Sequence, residues 1–532
     1  MTRYRPFFRI LPGLAAALVL AGLVGGSLLA LAAEAGHDIA IRRLGEPYLL
    51  RVILFTLVQA ALSALLSVAL AIPAARALYR WRGLPGHTLV LHLLSLAFVT
   101  PVIIGVFGIV AVHGKSGWIN SLLNVLGVEP RSYIYGLTGI LIGHLFFNYP
   151  FAIRLLLRAL DDISAENWRL ADQLDLRGWN RFRFLEWPAM RRALPAAASL
   201  IFALCFTSFA VVLTLGGGPR ATTIEVAIYQ ALRFDFDLGQ ALLLALVQVS
   251  LGLLMMALIG RANIEPLSRT GLRHRHGGAP EGPLAALTDI LALLPLLGLV
   301  IAPLTAILLD GLRAPLATLV ADSGIQQAAL RSAGVALAAA VAACLLALGL
   351  LSAARRLKQQ RQRPGAARFL LLSGSVILVV PPMLLGTGLF LLLRRFGWVL
   401  PDVLVLVTLI NALTGLPFAL RLLEPRFMAI ERDYGHLCAS LDIKGWARLR
   451  HVELPQLARP LGQALALCAA LSAGDLGVIV LFGTPETATL PLLLYQYMGA
   501  YRLHEAAGIA LLLAIICLGL IIFAETPGKR HA

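Results

Sequence analysis

The segment HGKSGW at 113–118 contains an arrangement that resembles a phosphate-binding loop. Gly114, Lys115 and Ser116 follow one another as at the end of a P-loop, where backbone amides, a lysine and a hydroxyl hold a nucleotide. That motif needs a glycine five residues before Gly114, but Ile109 stands there, and an apolar run precedes it instead of a strand. We therefore predict that this chain has no nucleotide site. The sequence also shows no paired-carboxylate or Ser/His/Asp arrangement that would indicate catalysis.

Asp475 is a second chemically notable residue, because it stands inside the apolar stretch LSAGDLGVIV. A carboxylate at the centre of a membrane helix costs roughly 2.5–3.5 kcal/mol on insertion scales, so such residues tend to face a pathway or a partner helix. Two interpretations remain open. Asp475 either contacts a ligand or caps a helix that is broken between Gly474 and Gly477.

The rest of the chain is composed like a membrane protein. Of its 532 residues, 59% are hydrophobic and only 14% are charged, whereas soluble chains carry about 25% charged residues. Apolar runs long enough to cross a bilayer are continuous and do not alternate, which favours helices over barrel strands. The sequence thus predicts an all-α polytopic membrane protein with about twelve spans, at 10–33, 50–74, 87–111, 135–157, 198–216, 240–260, 286–309, 328–353, 369–393, 400–420, 462–483 and 506–524.

The positive charges indicate how these spans are oriented. Most of the 45 Lys and Arg residues lie in the N-terminus, the even-numbered connections and the C-terminus. The positive-inside rule therefore places both termini in the cytoplasm, and an even number of spans requires the same. This distribution accounts for the net charge of +17 without a nucleic-acid partner. The first run is longer than a signal-peptide core and is interpreted as a retained span.

A polar stretch occurs twice. Residues 174–188 read LDLRGWNRFRFLEWP and residues 441–455 read LDIKGWARLRHVELP, with eight of fifteen positions identical at an offset of 441 − 174 = 267. The match extends upstream, from PFAIRL at 150–155 to PFALRL at 417–422. We predict two parallel six-span repeats, 1–260 and 284–532, joined by a cytoplasmic linker at 261–283. Such repeats are related by an axis along the membrane normal, with a pathway between them.

Each copy predicts a short helix, a break and a second helix that leads into a span. In the first copy Ser164 can cap a helix, Leu170 and Leu174 share one face, and Gly178 offers a stop. Trp179 then starts a second helix and Pro188 suits the beginning of the next one. The second copy repeats this spacing with Leu437, Leu441, Gly445, Trp446 and Pro455. The copies lie in predicted cytoplasmic loops, 159–197 and 423–461. One such loop could lie on the membrane surface, but the repeated Gly, Trp and Pro spacing favours docking to a twofold-symmetric partner.

The repeated stretch resembles the cytoplasmic signature loop of ABC-importer permeases. The last position of the signature triplet falls on Ala171 and Cys438, and its glycine position on Asp175 and Asp442. Asp is among the few non-glycine residues that tolerate a left-handed backbone, so a helix break there remains possible. The longer stretches SALLSVALAIPAARALYR, YGLTGILIGHLFFNYP, LGGGPRATTIEVAIYQAL and LPLLLYQYMGAYR are similar to fused permeases of thiamine and thiamine pyrophosphate importers.

This resemblance implies a type I ABC importer permease fold in a bacterial inner membrane. It implies three partners: a cytoplasmic ABC ATPase dimer that carries ATP and magnesium, a periplasmic substrate-binding protein, and thiamine or its phosphates. The chain itself would need no cofactor. The loop signature alone leaves a ferric iron permease open. An ion-coupled secondary transporter is the alternative from another class, but it would leave the duplicated loop unexplained.

The resemblance also gives the polar residues of the spans a context. Thiamine is a cation, so Asp475 is a candidate for the substrate pathway, and Ser208 occupies the equivalent position in the first half (475 − 267 = 208). His144, Asn148 and Asn411 are interpreted as interhelical hydrogen-bonding residues.

Overall fold

The computed structural model describes residues 11–35, 45–130, 132–261, 282–359, 364–375, 377, 380–395, 397, 403–443 and 445–525. Within these residues the regular structure is helical throughout, as predicted for an all-α polytopic membrane protein. Almost all of the predicted linker 261–283 lies outside the described residues.

The α-helices of the first 261 residues are α1 (Leu11–Ala35), α2 (Pro47–Arg80), α3 (His87–Val99), α4 (Val102–His113), α5 (Trp118–Val125), α6 (Leu137–Asp161), α7 (Ala165–Gln173), α8 (Gly178–Arg181), α9 (Trp187–Phe206), α10 (Ala210–Leu215), α11 (Ile224–Gln230) and α12 (Leu238–Arg261). Those that follow are α13 (Pro283–Leu296), α14 (Ala302–Arg313), α15 (Leu316–Ala321), α16 (Ser323–Gln359), α17 (Pro364–Ser375), α18 (Pro382–Arg395), α19 (Val403–Ser440), α20 (Gly445–Arg448), α21 (Leu454–Ala473), α22 (Gly477–Phe482), α23 (Leu490–Gly499) and α24 (Leu503–Glu525). Turns of π-helix cover Phe182–Glu186, Ala231–Asp235, Leu297–Ile301 and Leu449–Glu453, and turns of 3₁₀-helix cover Trp81–Gly83, Pro219–Ala221 and Pro485–Thr487.

Eleven helices among the described residues are long and apolar enough to cross a membrane, one fewer than the twelve predicted spans. The difference lies at 369–393, where α17 and α18 take the place of one long helix. The predicted span 87–111 is also divided, into α3 and α4, and the candidate span there begins at Val102. Proline stands at both divisions. Pro101 stands just beyond the end of α3 and lacks the amide that would continue that helix, and Pro382 begins α18 directly after Pro381.

The chain divides into two compact units, and each is described separately. One unit comprises 42–227 and 250–312. In it α2 packs against α6, α9 and α13, and α6 also packs against α3 and α9. The other unit comprises 1–41, 228–249 and 313–532. In it α16 packs against α1, α19 and α21, while α24 packs against α21 and α23. The boundaries of the sequence repeats, 1–260 and 284–532, stay a prediction.

Small residues line the helix contacts within the second unit. Ala336, Ala340, Ala343 and Ala347 form a stripe along α16 and are fully buried. In a membrane, helix association depends on close packing, because lipid tails are as apolar as the side chains they replace. Gly388 of α18 shows the same principle, since a Cβ there would overlap the backbone carbonyl of Ser27 in α1.

Polar side chains also join neighbouring helices. The ring Nδ1 of His144 on α6 hydrogen-bonds with the hydroxyl of Ser63 on α2 at 2.8 Å. The Asn148 amide donates to the Cys205 sulfur on α9 at 3.2 Å. These contacts confirm the predicted interhelical role. The same holds for Asn411 of α19, which donates to the Ser472 hydroxyl of α21 at 2.9 Å.

Candidate functional site

The first copy of the repeated segment folds as two short helices around a tight corner. The Ser164 hydroxyl accepts from the Asn167 amide at 3.4 Å and so caps α7, as predicted. The predicted stop at Gly178 is wrong. The helix ends at Gln173, and Asp175 turns the chain with a left-handed φ of +50°. Gly178 has a φ of +52° and begins α8 instead. Because glycine has no Cβ, it can adopt this left-handed φ, and here that conformation begins the second helix instead of ending the first.

The second copy has the same backbone pattern. Asp442 has a φ of +52° and Gly445 a φ of +61°, followed by α20, a π-helical turn and α21 with Pro455 in its first turn. The two copies differ upstream of this corner. Glu431 occupies the position that corresponds to Ser164 (431 − 267 = 164), and α19 runs without interruption from the membrane span into the segment.

Both copies present an exposed apolar ridge. We define the docking ridge as the large side chains Leu170, Leu174 and Trp179 in the first copy and Leu437, Leu441 and Trp446 in the second. Each of these residues is more than half exposed. The small residues between them, Ala171 and Cys438, are buried. Each segment therefore packs inward through a small residue and leaves its large apolar side chains exposed.

The buried side of the first copy is held by aromatic and charged contacts. Trp168 is buried and stacks on Tyr79 of α2, with ring centroids 5.5 Å apart. Arg181 closes the corner, since its guanidinium donates to the Leu176 carbonyl and to Asp172, each at 2.9 Å. The Trp168–Tyr79 stack positions the segment against the end of α2, and the Arg181 contacts hold the corner of the segment itself.

A second set of contacts involves residues that the repeat alone did not single out. Arg76 of α2 lies 2.5 Å from the carboxylate of Glu186 and also donates to the Gly178 carbonyl at 2.7 Å. Arg355 of α16 lies 2.7 Å from the carboxylate of Glu453. The sequence contains a signal for these residues. The tripeptide Ala-Ala-Arg occurs at 74–76 and again at 353–355, and the glutamate is one of the identical positions of the repeated stretch.

The two candidate pathway residues lie at helix breaks. Asp475 is half-buried between α21 and α22, and its Oδ1 accepts from the Gly477 amide at 3.1 Å. Ser208 is half-buried in the break between α9 and α10, and its amide donates to the Cys205 carbonyl. Asp475 therefore does cap a broken helix. Its second oxygen, Oδ2, makes no hydrogen bond within the described residues.

Two tyrosines lie in the short helices α11 and α23. Tyr229 is buried and Tyr495 is half-buried. Burial raises the pKa of both phenols above the usual value.

Comparison with known proteins identifies the family. No family model matches the chain. The thiamine transport system permease protein ThiP of Brucella abortus is 43% identical over 519 residues, which cover 96% of this chain and 94% of that protein. ThiP of Salmonella typhimurium is 43% identical over 535 residues, covering 100% and 99%. The sulfate transport system permease protein CysW of Synechococcus elongatus is 26% identical over 241 residues, 44% of this chain and 80% of that protein. Since relatives at this identity match nearly all of its length, the chain belongs to the family of thiamine transport system permease proteins.

Proposed function

We propose that this chain is the transmembrane permease subunit of an ATP-binding-cassette importer that carries thiamine, and also its phosphates, into the cytoplasm. The observation that carries the proposal is the docking ridge, formed twice with the same left-handed corner, in a chain similar throughout to thiamine transport permeases. The chain would act as a membrane subunit without enzymatic activity of its own. ATP and magnesium would bind a separate ATPase dimer.

The duplication of the ridge supports a dimeric ATPase. Each copy would dock on one ATPase subunit at the cytoplasmic side of a bacterial inner membrane, with both termini of the chain on that side. Closure of the dimer around ATP would move the two segments and favour one of two states of the permease. The two states would be biased by their different contacts with the ATPase, and ATP would supply the free energy. A periplasmic substrate-binding protein would deliver thiamine on the other side.

Uptake of labelled thiamine into proteoliposomes tests this function. The vesicles contain the chain, its candidate ATPase and its candidate binding protein, with ATP supplied to the ATPase side. We expect uptake that needs ATP and all three proteins. ATP hydrolysis without thiamine uptake would retain the importer class and point to ferric iron. Uptake that needs no ATPase would replace the proposal with an ion-coupled carrier.

Asp475 is the residue that we propose to contact the thiamine cation. Asp475→Asn removes the charge but keeps a side-chain oxygen that can cap α22, so the helix break should persist. A hydrogen bond to a charged group contributes about 1.5–3 kcal/mol, and we therefore expect the KM for thiamine to rise by about tenfold or more. The matched variant Ser208→Ala, at the equivalent break, tests whether both breaks contribute. Normal transport by Asp475→Asn with an unchanged KM would limit this carboxylate to capping.

A further inference from the structure

We call residues 164–188 and 431–455 the docking segments. A buried Arg–Glu pair joins each of them to a long membrane helix. In the first copy the pair is Arg76–Glu186, at 2.5 Å, and in the second it is Arg355–Glu453, at 2.7 Å. The arginines stand near the ends of α2 and α16, which contain 34 and 37 residues. At 1.5 Å per residue these helices are about 51 and 56 Å long, so they extend well beyond the hydrocarbon core of about 30 Å. Each pair therefore connects a segment outside the core to a helix that crosses it.

Burial makes these pairs different from ordinary surface ion pairs. The glutamate side chains are only 4% and 7% exposed, and the arginine side chains 18% and 10%. A buried ion pair contributes little to stability compared with apolar packing, whereas loss of one partner leaves an uncompensated charge. Its other effect is geometric, because a guanidinium and a carboxylate interact in a defined orientation.

The arginines make further contacts that fix this orientation. Arg76 contacts both ends of the stretch 178–186, because it donates to the Gly178 carbonyl at 2.7 Å and pairs with Glu186. Its guanidinium also lies 4.8 Å from the ring centre of Phe182. Arg355 lies 4.6 Å from the ring centre of Phe427. Movement of either segment would therefore directly displace the guanidinium group of its arginine.

The second copy adds a second glutamate, Glu431, to the same arrangement. Arg448 lies 2.9 Å from the Glu453 carboxylate and also pairs with Glu431. Arg355 is itself 3.5 Å from Glu431. The second segment is consequently held by a network of two arginines and two glutamates, which should tolerate the loss of one charge better than the first.

We propose that the Arg76–Glu186 and Arg355–Glu453 pairs are the links that transmit movement of the docking segments to α2 and α16. This inference rests on the proposed function. The docking ridge provides the exposed contact with the ATPase, and the pairs provide the connection on the opposite, buried side. The four residues are positioning residues, because they act through the helices and not on substrate.

The test measures thiamine imported per ATP hydrolysed in the proteoliposomes, together with co-purification of the ATPase. Glu186→Gln with Glu453→Gln keeps the side-chain shape and removes both charges. We expect the ATPase to remain bound while the ratio falls at least about fivefold, the lower end of typical coupling between sites. The control is Asp289→Asn, which also keeps the side-chain shape. Asp289 of α13 is buried and pairs with Arg80 near the same end of α2, so this change removes a buried ion pair that does not involve the repeated stretch, and it should leave the ratio unchanged.

Two further variants distinguish transmission from folding. Arg76→Lys keeps the charge but lacks the planar fork that reaches Glu186 and Gly178 together, so we expect a reduced ratio in a folded protein. Arg76→Glu with Glu186→Arg restores an ion pair and should recover part of the ratio.

An unchanged ratio in the glutamine variant would overturn the inference, as would equal losses of ATPase binding and uptake. A swapped pair that folds yet stays as uncoupled as Glu186→Gln alone would also overturn it. If the unaltered chain itself shows no ATP-driven uptake, the proposed function fails and the inference fails with it. Uptake by the unaltered chain in the same vesicles separates the two results.

Discussion

Truncation of the two ridge tryptophans should weaken ATPase binding by an amount that follows from their exposure. Trp179 is 67% exposed and Trp446 is 70% exposed. A tryptophan buries roughly 150–250 Å² in an interface, so about 130 Å² of each residue is available for docking. At about 25 cal/mol per Å², complete burial would contribute at most about 3 kcal/mol per tryptophan. This corresponds to about a hundredfold in Kd for each docking site.

The assay is titration of the purified ATPase onto the permease in nanodiscs. We expect Trp179→Ala and Trp446→Ala each to weaken binding, and the double variant to weaken it most, because the two sites bind one dimer. Trp179 also contacts Phe182, with ring centroids 5.2 Å apart, and loss of such an aromatic pair costs only about 0.5–1.5 kcal/mol. The variants should therefore stay folded, which thermal unfolding in detergent will check.

Tyr501→Ala is the matched control, because Tyr501 is 83% exposed but lies on the predicted outer side. Its loss should leave ATPase affinity within about twofold of the unaltered chain. If the double tryptophan variant binds equally well, the exposed ridge is not the docking surface. An amphipathic loop on the membrane would then explain the repeated segment better.

Two further predictions concern glycines. Gly178→Ala meets open space, but the left-handed φ of +52° should cost about 1–2 kcal/mol of stability and weaken ATPase assembly. Asp175→Gly, at the other left-handed corner, should change unfolding free energy by less than about 0.5 kcal/mol, and equal effects of the two changes would contradict the backbone explanation. Gly388→Ala should destabilise the protein by about 1–3 kcal/mol, because the added methyl overlaps Ser27. Gly334→Ala on α16, where no atom lies within 4 Å of the new methyl, should be neutral or slightly stabilising in the same thermal unfolding measurement.

Hydropathy predicted the helical class and most spans, because uninterrupted apolar runs have few structural alternatives in a bilayer. It was less reliable inside the runs. A window that averages over about 19 residues barely registers one proline, yet Pro101 separates α3 from α4, and Pro381–Pro382 stand where α18 begins within 369–393. The missed divisions are local backbone effects, and the residue responsible is visible in the sequence once its lack of an amide is considered.

Long-range contacts were harder to predict from a single chain. Arg76 and Glu186 are 110 positions apart, and Arg355 and Glu453 are 98 apart. Neither composition nor periodicity pairs such residues. The packing of α1 against α16 and α18, and of α13 against α2, is equally remote in sequence. In these cases the contact partner depends on the whole fold. The left-handed backbone at a corner such as Asp175 depends only on its own side chain and its neighbours in sequence.

The internal duplication partly compensates for this, because it lets the chain be compared with itself. Where the copies agree, as at Asp175 and Asp442, the backbone conformation is the same in both. Where they differ, as at Ser164 and Glu431, the structure differs too: the serine caps a new helix, and the glutamate continues an old one and pairs with Arg448. Positions that are identical in the two copies therefore indicate which backbone conformations the docking segment requires. Positions that differ indicate where each half uses different contacts to hold its segment in place. By this reasoning the glutamate that both copies share, Glu186 and Glu453, should matter in both halves. Its loss should reduce coupling more in the first half, because Arg76 has no second glutamate among the described contacts, whereas Arg355 has Glu431.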